Sequence, residues 1–317
     1  MLGLLFLIVG LLALIKGGDW LVDGSVGIAK NFRVPEIVIG LTLVAFGTSA
    51  PELLVNIFAA IQGKGDIALG NVLGSNIVNI TLILGVSLLF RDLLIKKTTT
   101  AFEVPLVIIS AFLLIVLLGD QWLDGRGVVE LSRSDGIVLL LFFVIFLIYN
   151  GFLAVKEGFE STEEHKILSL PLSFLLFFVG LALLIVGGKI TVEGAVMFAR
   201  FLGVPERIIA LTIVAVGTGL PEMVTSIMAA RKNSSDIAIG NVMGSNLFNV
   251  FFILGVSGLI QPLAVSSSMQ SDLVVNLIVS LVCWVLFLLG RGKISRKSGF
   301  VLVGMYVLYI IQMVVRL

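Results

Sequence analysis

The chain contains one cysteine, Cys283, and one histidine, His165, in 317 residues. A single cysteine excludes an internal disulfide and any thiolate metal cluster. The histidine sits in the charged run Lys156 to Lys166, KEGFESTEEHK, which excludes a zinc or catalytic centre built on imidazoles. Charge of either sign is scarce: Asp, Glu, Lys and Arg make up 13% of the chain, against about 25% in ordinary soluble domains. Hydrophobic residues reach 58%, and apolar segments of around twenty residues, each long enough to span a bilayer core, recur along the whole length. This composition excludes a soluble domain. The net charge of +1 carries no information about partners in such a chain. Its first fifteen residues lack a basic stretch and a small-residue cleavage site, and they have an internal counterpart, so a membrane span is expected there and not a signal peptide.

One of these apolar runs is interrupted by GTSAPE, Gly47–Glu52. A charged side chain at bilayer depth costs roughly 2.5–3.5 kcal/mol on insertion scales, so it is kept where it is paired or lines a path for something charged. Pro51 removes an amide donor and crowds the preceding turn, and Gly47 relaxes it; backbone carbonyls near Ala45 and Phe46 are expected to be released. Irregular backbone at that depth is tolerated where it lines a cavity or is buried in protein. Thr48 and Glu52, four apart, share a helix face. Carbonyl, hydroxyl and carboxylate oxygens converging there suit a hard cation.

The stretch occurs twice. GTGLPE, Gly217–Glu222, lies 170 positions later, and the offset holds without a gap over most of about eighty residues. Gly10 matches Gly180, Gly17-Gly18 matches Gly187-Gly188, Gly24 matches Gly194, and Asp66 matches Asp236. GNVLGSN from Gly70 matches GNVMGSN from Gly240. The chain is a duplication.

Ten membrane spans are expected, about 2–29, 36–61, 66–90, 102–118, 135–155, 170–201, 206–231, 236–260, 272–289 and 298–315. They divide into a first half, 1–155, a linker, 156–168, and a second half, 169–317. Loops on one side carry thirteen of the 21 Lys and Arg residues and loops on the other carry six, with Lys16 and Lys189 inside spans. That bias places the linker in the cytoplasm and both termini outside. Five spans per copy is odd, so the copies cross the membrane in opposite directions. The expected fold class is an all-α integral membrane protein of two inverted five-helix repeats with discontinuous core helices, which place transported ions at the midplane. Loops are short and leave no room for a regulatory domain.

Polar stripes mark the core. Thr48, Glu52 and Asn56 fall on one face of the second span, and Thr218, Glu222 and Ser226 on one face of the seventh. Asn71, Ser75 and Asn79 in the third span recur as Asn241, Ser245 and Asn249 in the eighth. Small and polar residues also serve close helix packing and interhelical hydrogen bonds, and packing is the expected role of Asn56, Ser226 and most of the glycines. Glu52 and Glu222 have no Lys or Arg near them in sequence and are expected to bind a cation. Asp66 and Asp236 are expected to cap helices. Lys16, Asp19 and Asp23 are expected to lie at the interface or to pair locally.

GTSAPE with GNVLGSNIVN, duplicated as GTGLPE with GNVMGSNLFN, resembles the two alpha-repeats of the sodium/calcium exchangers, in the calcium/cation antiporter superfamily, of a prokaryotic type without a regulatory domain. The resemblance covers nearly the whole chain and implies ion sites among spans 2, 3, 7 and 8. It implies that Glu52 and Glu222 are central ligands shared by calcium and sodium, and that Thr48 and Thr218 add backbone carbonyls. Ala45, Ser49 and Ser75 would build one flanking sodium site, Ala215 and Ser245 the other, with Asn79 and Asn249 facing the centre. Two positions depart from the pattern: Gly219 stands where a serine is common, and Asn249 where many exchangers have aspartate. Ser75 and Ser245 stand where the proton/calcium branch usually carries a glutamate, which favours sodium as the driving ion.

The resulting expectation is a secondary antiporter that exchanges calcium for sodium and normally extrudes calcium, with a proton/calcium exchanger using the same glutamates as the alternative. A channel would pass calcium without a counter-ion. An intramembrane hydrolase would need a second catalytic group, and neither an HExxH motif nor a nucleophile with a histidine is present, so no enzyme is expected. No cofactor, nucleic acid or obligate protein partner is called for.

Overall fold

In the computed structural model, which describes residues 2–119, 129–157, 168–202, 217–266 and 269–315, the apolar runs form helices. In chain order these are α1 (Leu2–Phe32), α2 (Glu36–Thr48), α3 (Ala50–Ile61), α4 (Gly65–Phe90), α5 (Thr99–Leu117), α6 (Arg133–Glu157), α7 (Leu170–Phe201), α8 (Leu220–Arg231), α9 (Ser235–Ile260), α10 (Gln270–Gly290) and α11 (Arg296–Val315). Among the described residues eight helices are long and apolar enough to cross a membrane, and α2 with α3, bent by 51°, counts as a ninth if the bent pair is one span. The first half of the expected seventh span and nearly all of the expected linker lie outside the described residues. The protein is an all-α integral membrane protein.

Two helices form the interior. The most apolar stretch of α9 is 94% buried and that of α4 72%, whereas the figure for α11 is 11%. The outer helices turn large apolar side chains outward, among them Leu5, Phe152, Phe178 and Val307. Lipid tails are as apolar as these side chains, so that exposure carries no penalty in a bilayer.

The long helices α1 and α7 run antiparallel along a seam of glycines. Gly3, Gly10, Gly17 and Gly24 on α1 face Gly194, Gly187, Gly180 and Ser173 on α7. A methyl group built on Gly17 would lie 2.8 Å from the Gly180 carbonyl oxygen and 2.9 Å from the Leu184 nitrogen, so the two backbones touch. At 31 residues α1 is about 46 Å long, more than the bilayer core of about 30 Å, which requires tilt.

Two short antiparallel ribbons tie the loops together. β1 (Leu93–Leu94), after α4, pairs with β4 (Lys293–Ile294), between α10 and α11; β2 (Glu130–Leu131), before α6, pairs with β3 (Leu263–Ala264), after α9. Glycine contacts follow the same cross-wise plan, Gly85 of α4 against Gly299 of α11 and Gly255 of α9 against Gly136 of α6.

The aspartates expected to cap helices do other work. Neither α4 nor α9 begins with a side-chain cap. Asp66 Oδ1 accepts from the Ser266 amide at 2.7 Å, and Asp236 pairs with Lys96 at 2.9 Å. Each aspartate sits one residue inside its helix, past the cap position, and its carboxylate is taken by a donor from a distant loop. On α1, Lys232 Nζ lies 2.6 Å from Asp19 Oδ1 and 2.6 Å from Asp23 Oδ1, and Lys16 lies 3.4 Å from Asp19. The pairing is thus only partly local: its main cation comes from the end of α8.

Candidate ion-binding site

The bend between α2 and α3 follows from its sequence. Residues Gly40–Val44 form a widened π turn, Ser49 leaves the helix at φ −83° and ψ 8°, and Pro51 sits in the first turn of α3. A proline at position 51 cannot donate to the carbonyl four residues back, that of Gly47. The expected release of Ala45 does not occur, because the Ala45 carbonyl accepts the Ser49 amide at 3.0 Å; the proline acts two residues further on. The second motif repeats the arrangement. Gly219 flanks α8, Pro221 occupies its first turn, and the Met223 amide bonds to the Gly219 carbonyl at 2.9 Å.

Both breaks place a carboxylate in the first turn of a helix, Glu52 in α3 and Glu222 in α8, where the helix dipole favours negative charge. Each residue is only 1% exposed. The motifs exchange partners: Ser49 Oγ donates to Glu222 Oε1 at 3.0 Å, while the Thr218 hydroxyl bonds to Glu52. Oε2 of each is buried with no hydrogen-bond donor. Among the described residues neither meets a Lys or Arg.

The polar stripes of α4 and α9 close around this pair. Thr48 Oγ1 donates to Asn241 Oδ1 at 3.1 Å, and Asn241 Nδ2 reaches the Glu222 backbone oxygen at 3.2 Å and Ser226 Oγ at 2.9 Å. Asn56 Nδ2 bonds to the Glu52 backbone oxygen at 3.0 Å. Ser226 thus accepts from Asn241, whereas Asn56 leaves its Oδ1 buried and without a partner. Ser245 is fully buried, its hydroxyl unpartnered, while Ser75 is half-buried. Ala45 is fully buried on α2, and Ala215 lies outside the described residues. Asn79 Nδ2 donates to Asn246 Oδ1 at 3.1 Å, and Asn249 Nδ2 to Asn76 Oδ1 at 3.0 Å, leaving Asn249 Oδ1 buried and partnerless.

Sequence reasoning missed Asn76, Asn246 and the linking role of Asn241. A signal was available: GSN occurs in both motifs, and Asn76 and Asn246 precede Asn79 and Asn249 by three positions, on the same helix face. Chemically the arrangement is two anionic groups among neutral oxygens, with no trio of His, Cys, Asp or Glu among the described residues. Such a set suits hard cations that bind and leave, with a charge of about −2 to be neutralised.

Fold and site together define a polytopic membrane transport protein with paired intramembrane carboxylates. The sodium/calcium exchanger protein family matches residues 2–152 and 172–315, and the chain belongs to that family. It is 34% identical to the sodium/calcium exchanger MaX1 of Methanosarcina acetivorans over 340 aligned positions, covering 97% of each chain. It is 37% identical to the inner membrane protein YrbG of Escherichia coli, covering 88% of this chain and 87% of YrbG. Among solved structures it is similar to the sodium-calcium exchanger NCX_Mj soaked with Na+ and Ca2+, with a TM-score of 0.81, 31% identity and 98% of each chain covered.

Proposed function

We propose that this protein is a secondary antiporter that exchanges calcium for sodium and extrudes calcium. The observation that carries the reading is the buried pair Glu52 and Glu222, each with one oxygen free and each held by hydroxyls of the opposite motif. One Ca²⁺ or several Na⁺ ions neutralise the pair in turn. Because the same oxygens serve both, occupancy is exclusive, and that competition couples the fluxes. In this reading Thr48 and Thr218 add oxygens to the calcium site. Ala45, Ser49 and Ser75 form one sodium site, Ala215 and Ser245 the other, with Asn79 and Asn249 between them. The printed names of MaX1 and NCX_Mj support sodium and calcium as the ions.

The architecture belongs to the same proposal. Two halves, 1–155 and 169–317, cross the membrane five times each in opposite senses, joined by a cytoplasmic linker at 156–168. The antiparallel α1 and α7 and the cross-wise ribbons support that inversion, since β1–β4 and β2–β3 each bring together loops that an inverted repeat places on one side. The charge bias of the loops supports termini outside.

A proton/calcium exchanger is the second reading, favoured by the absence of a cationic partner for either glutamate among the described residues, which leaves both able to carry protons. Calcium uptake into proteoliposomes separates the two. Uptake driven by an outward sodium gradient at equal pH, and lost in Glu52→Gln and Glu222→Gln, supports sodium exchange. Uptake driven by a pH gradient alone supports the second reading, and calcium flux needing no counter-ion refutes both.

A further inference from the structure

Asn241 of α9 is fully buried and holds residues of both motifs at once. The backbone oxygen of Glu222 can only accept, so the Asn241 nitrogen, 3.2 Å away, is turned to it and also reaches Ser226 Oγ at 2.9 Å. Asn241 Oδ1 is left on the other side, 3.1 Å from the Thr48 hydroxyl, which must donate to it; the Val44 carbonyl of Thr48's own helix, also at 3.1 Å, competes for that proton. The next residue, Ser49, donates to Glu222 Oε1 at 3.0 Å. The contacts close a ring, from the Glu222 backbone to Asn241, to Thr48, along the chain to Ser49, and back to the Glu222 carboxylate. Thr48, Ser49 and Asn241 are 0% exposed and Glu222 1%, so the ring is sealed from bulk water. Oε1 is spent inside it, and Oε2 is left without a donor.

The corresponding positions of the other half do not close. Offset by 170, they are Asn71, Thr218, Gly219 and Glu52. Gly219 has no hydroxyl to give. The Thr218 hydroxyl is on the Glu52 carboxylate, Asn56 takes the Glu52 backbone oxygen, and Asn71 Nδ2 is buried with no acceptor. We infer that Asn241 is a positioning residue that fixes the Glu222 carboxylate, with Oε1 occupied and Oε2 presented to the cation, and that the two glutamates, equivalent by repeat, are held differently. The inference rests on the ion site proposed above.

The test is equilibrium calcium binding to the purified full-length protein in sodium-free buffer. Wild type, Asn241→Leu, Ser49→Ala, their double variant and Glu222→Gln are measured together. Asn241→Leu keeps the volume and cuts the ring, which predicts calcium affinity about tenfold lower. Asn241 and Ser49 share no hydrogen bond of their own and meet only through the ring. Once Ser49→Ala has opened it, Asn241→Leu should cost little more, so the double variant binds about as the weaker single one does. A merely structural asparagine would give losses that multiply. Multiplying losses, or wild-type affinity in Asn241→Leu, overturns the positioning role. Asn71→Leu, the same change at the repeat-related position, should multiply with Ser49→Ala; coupling as strong as that of Asn241 overturns the one-sided ring. Wild-type affinity in Glu222→Gln overturns the ion site itself, and the inference with it. Asn241→Ser, too short to reach Thr48 and Glu222 together, repeats the cycle if the leucine variant does not fold, with the same expected coupling and the same refuting result.

Discussion

Adding one methyl group to a glycine in this protein is predicted to change sign within a few residues of the α1–α7 seam. In Gly17→Ala the new carbon would stand 2.8 Å from the Gly180 oxygen and 2.9 Å from the Leu184 nitrogen, both main-chain atoms that cannot rotate away. Ordinary contact at about 3.4 Å requires the helices to part by about 0.6 Å, a gap that forfeits a quarter to a half of each neighbouring dispersion contact. Overpacking of this kind costs roughly 1–3 kcal/mol, set against about 1 kcal/mol gained from alanine's better helix propensity. The net expectation is destabilisation by up to about 2 kcal/mol. At Gly188 the nearest atoms, on Leu14 and Pro221, are 3.9 Å away, so Gly188→Ala retains the propensity gain and loses nothing. Thermal unfolding in detergent reads both: a lower midpoint for Gly17→Ala and an equal or higher one for Gly188→Ala. Transport is expected to fall only in the first, because α1 also rests on α8, with Gly18 against Val224 and Met228 two and six residues from Glu222. Equal midpoints for the two variants would refute the reading of the seam as backbone contact.

Three further outcomes are expected. Lys232→Met leaves Asp19 and Asp23 facing each other without their shared cation, and is expected to lower stability by on the order of 1–2 kcal/mol, between the exposed and buried ranges for ion pairs; adding Asp23→Asn should recover part of the loss in the same unfolding assay. The Lys293 ammonium and the Arg296 amide hold the exposed Asp92 carboxyl below its ordinary value of 3.8, so their support of the β1–β4 ribbon is complete above that pH and is lost as pH falls through the lowered value. Hydrogen exchange at Leu93–Leu94 should therefore be unchanged from pH 8 to 5 once corrected for intrinsic rates, and Asp92→Asn should speed it at pH 7, modestly and less at high salt. With the buried Cys283 replaced by alanine, cysteines at Gln62 and Leu94 should label from opposite sides of the membrane, Leu94 from the cytoplasm; Leu94 labelling from outside would refute the proposed orientation.

What was legible in the sequence was whatever repeats locally. The two motifs, their 170-residue offset and the proline that bends α2 from α3 could all be read because each is a matter of neighbours along the chain. The glycines at 3, 10, 17 and 24 also carry their spacing of seven in plain view, yet the spacing does not say which helix they face. Partners set by tertiary geometry were out of reach. Lys232 lies 213 residues from Asp19, and the ribbons are two residues long, too short for any propensity to declare. Asp66 and Asp236 read as caps because cap preference is local, whereas their actual donors come from across the fold.

The asparagines mark this boundary most clearly. Their presence in both motifs was visible, but a side chain with a donor at one end and an acceptor at the other has no direction until its partners are known. That direction decides its chemistry: the same residue offers a cation a ligand or a repulsive N–H. In Asn249 it descends from a backbone carbonyl through Asn76, so the direction of an amide on α9 is set through α4. The carboxylates follow the same rule, Ser49 serving Glu222 and Thr218 serving Glu52. Each carboxylate takes a hydroxyl from the other motif, so a movement that shifts one motif against the other must change the contacts of both carboxylates.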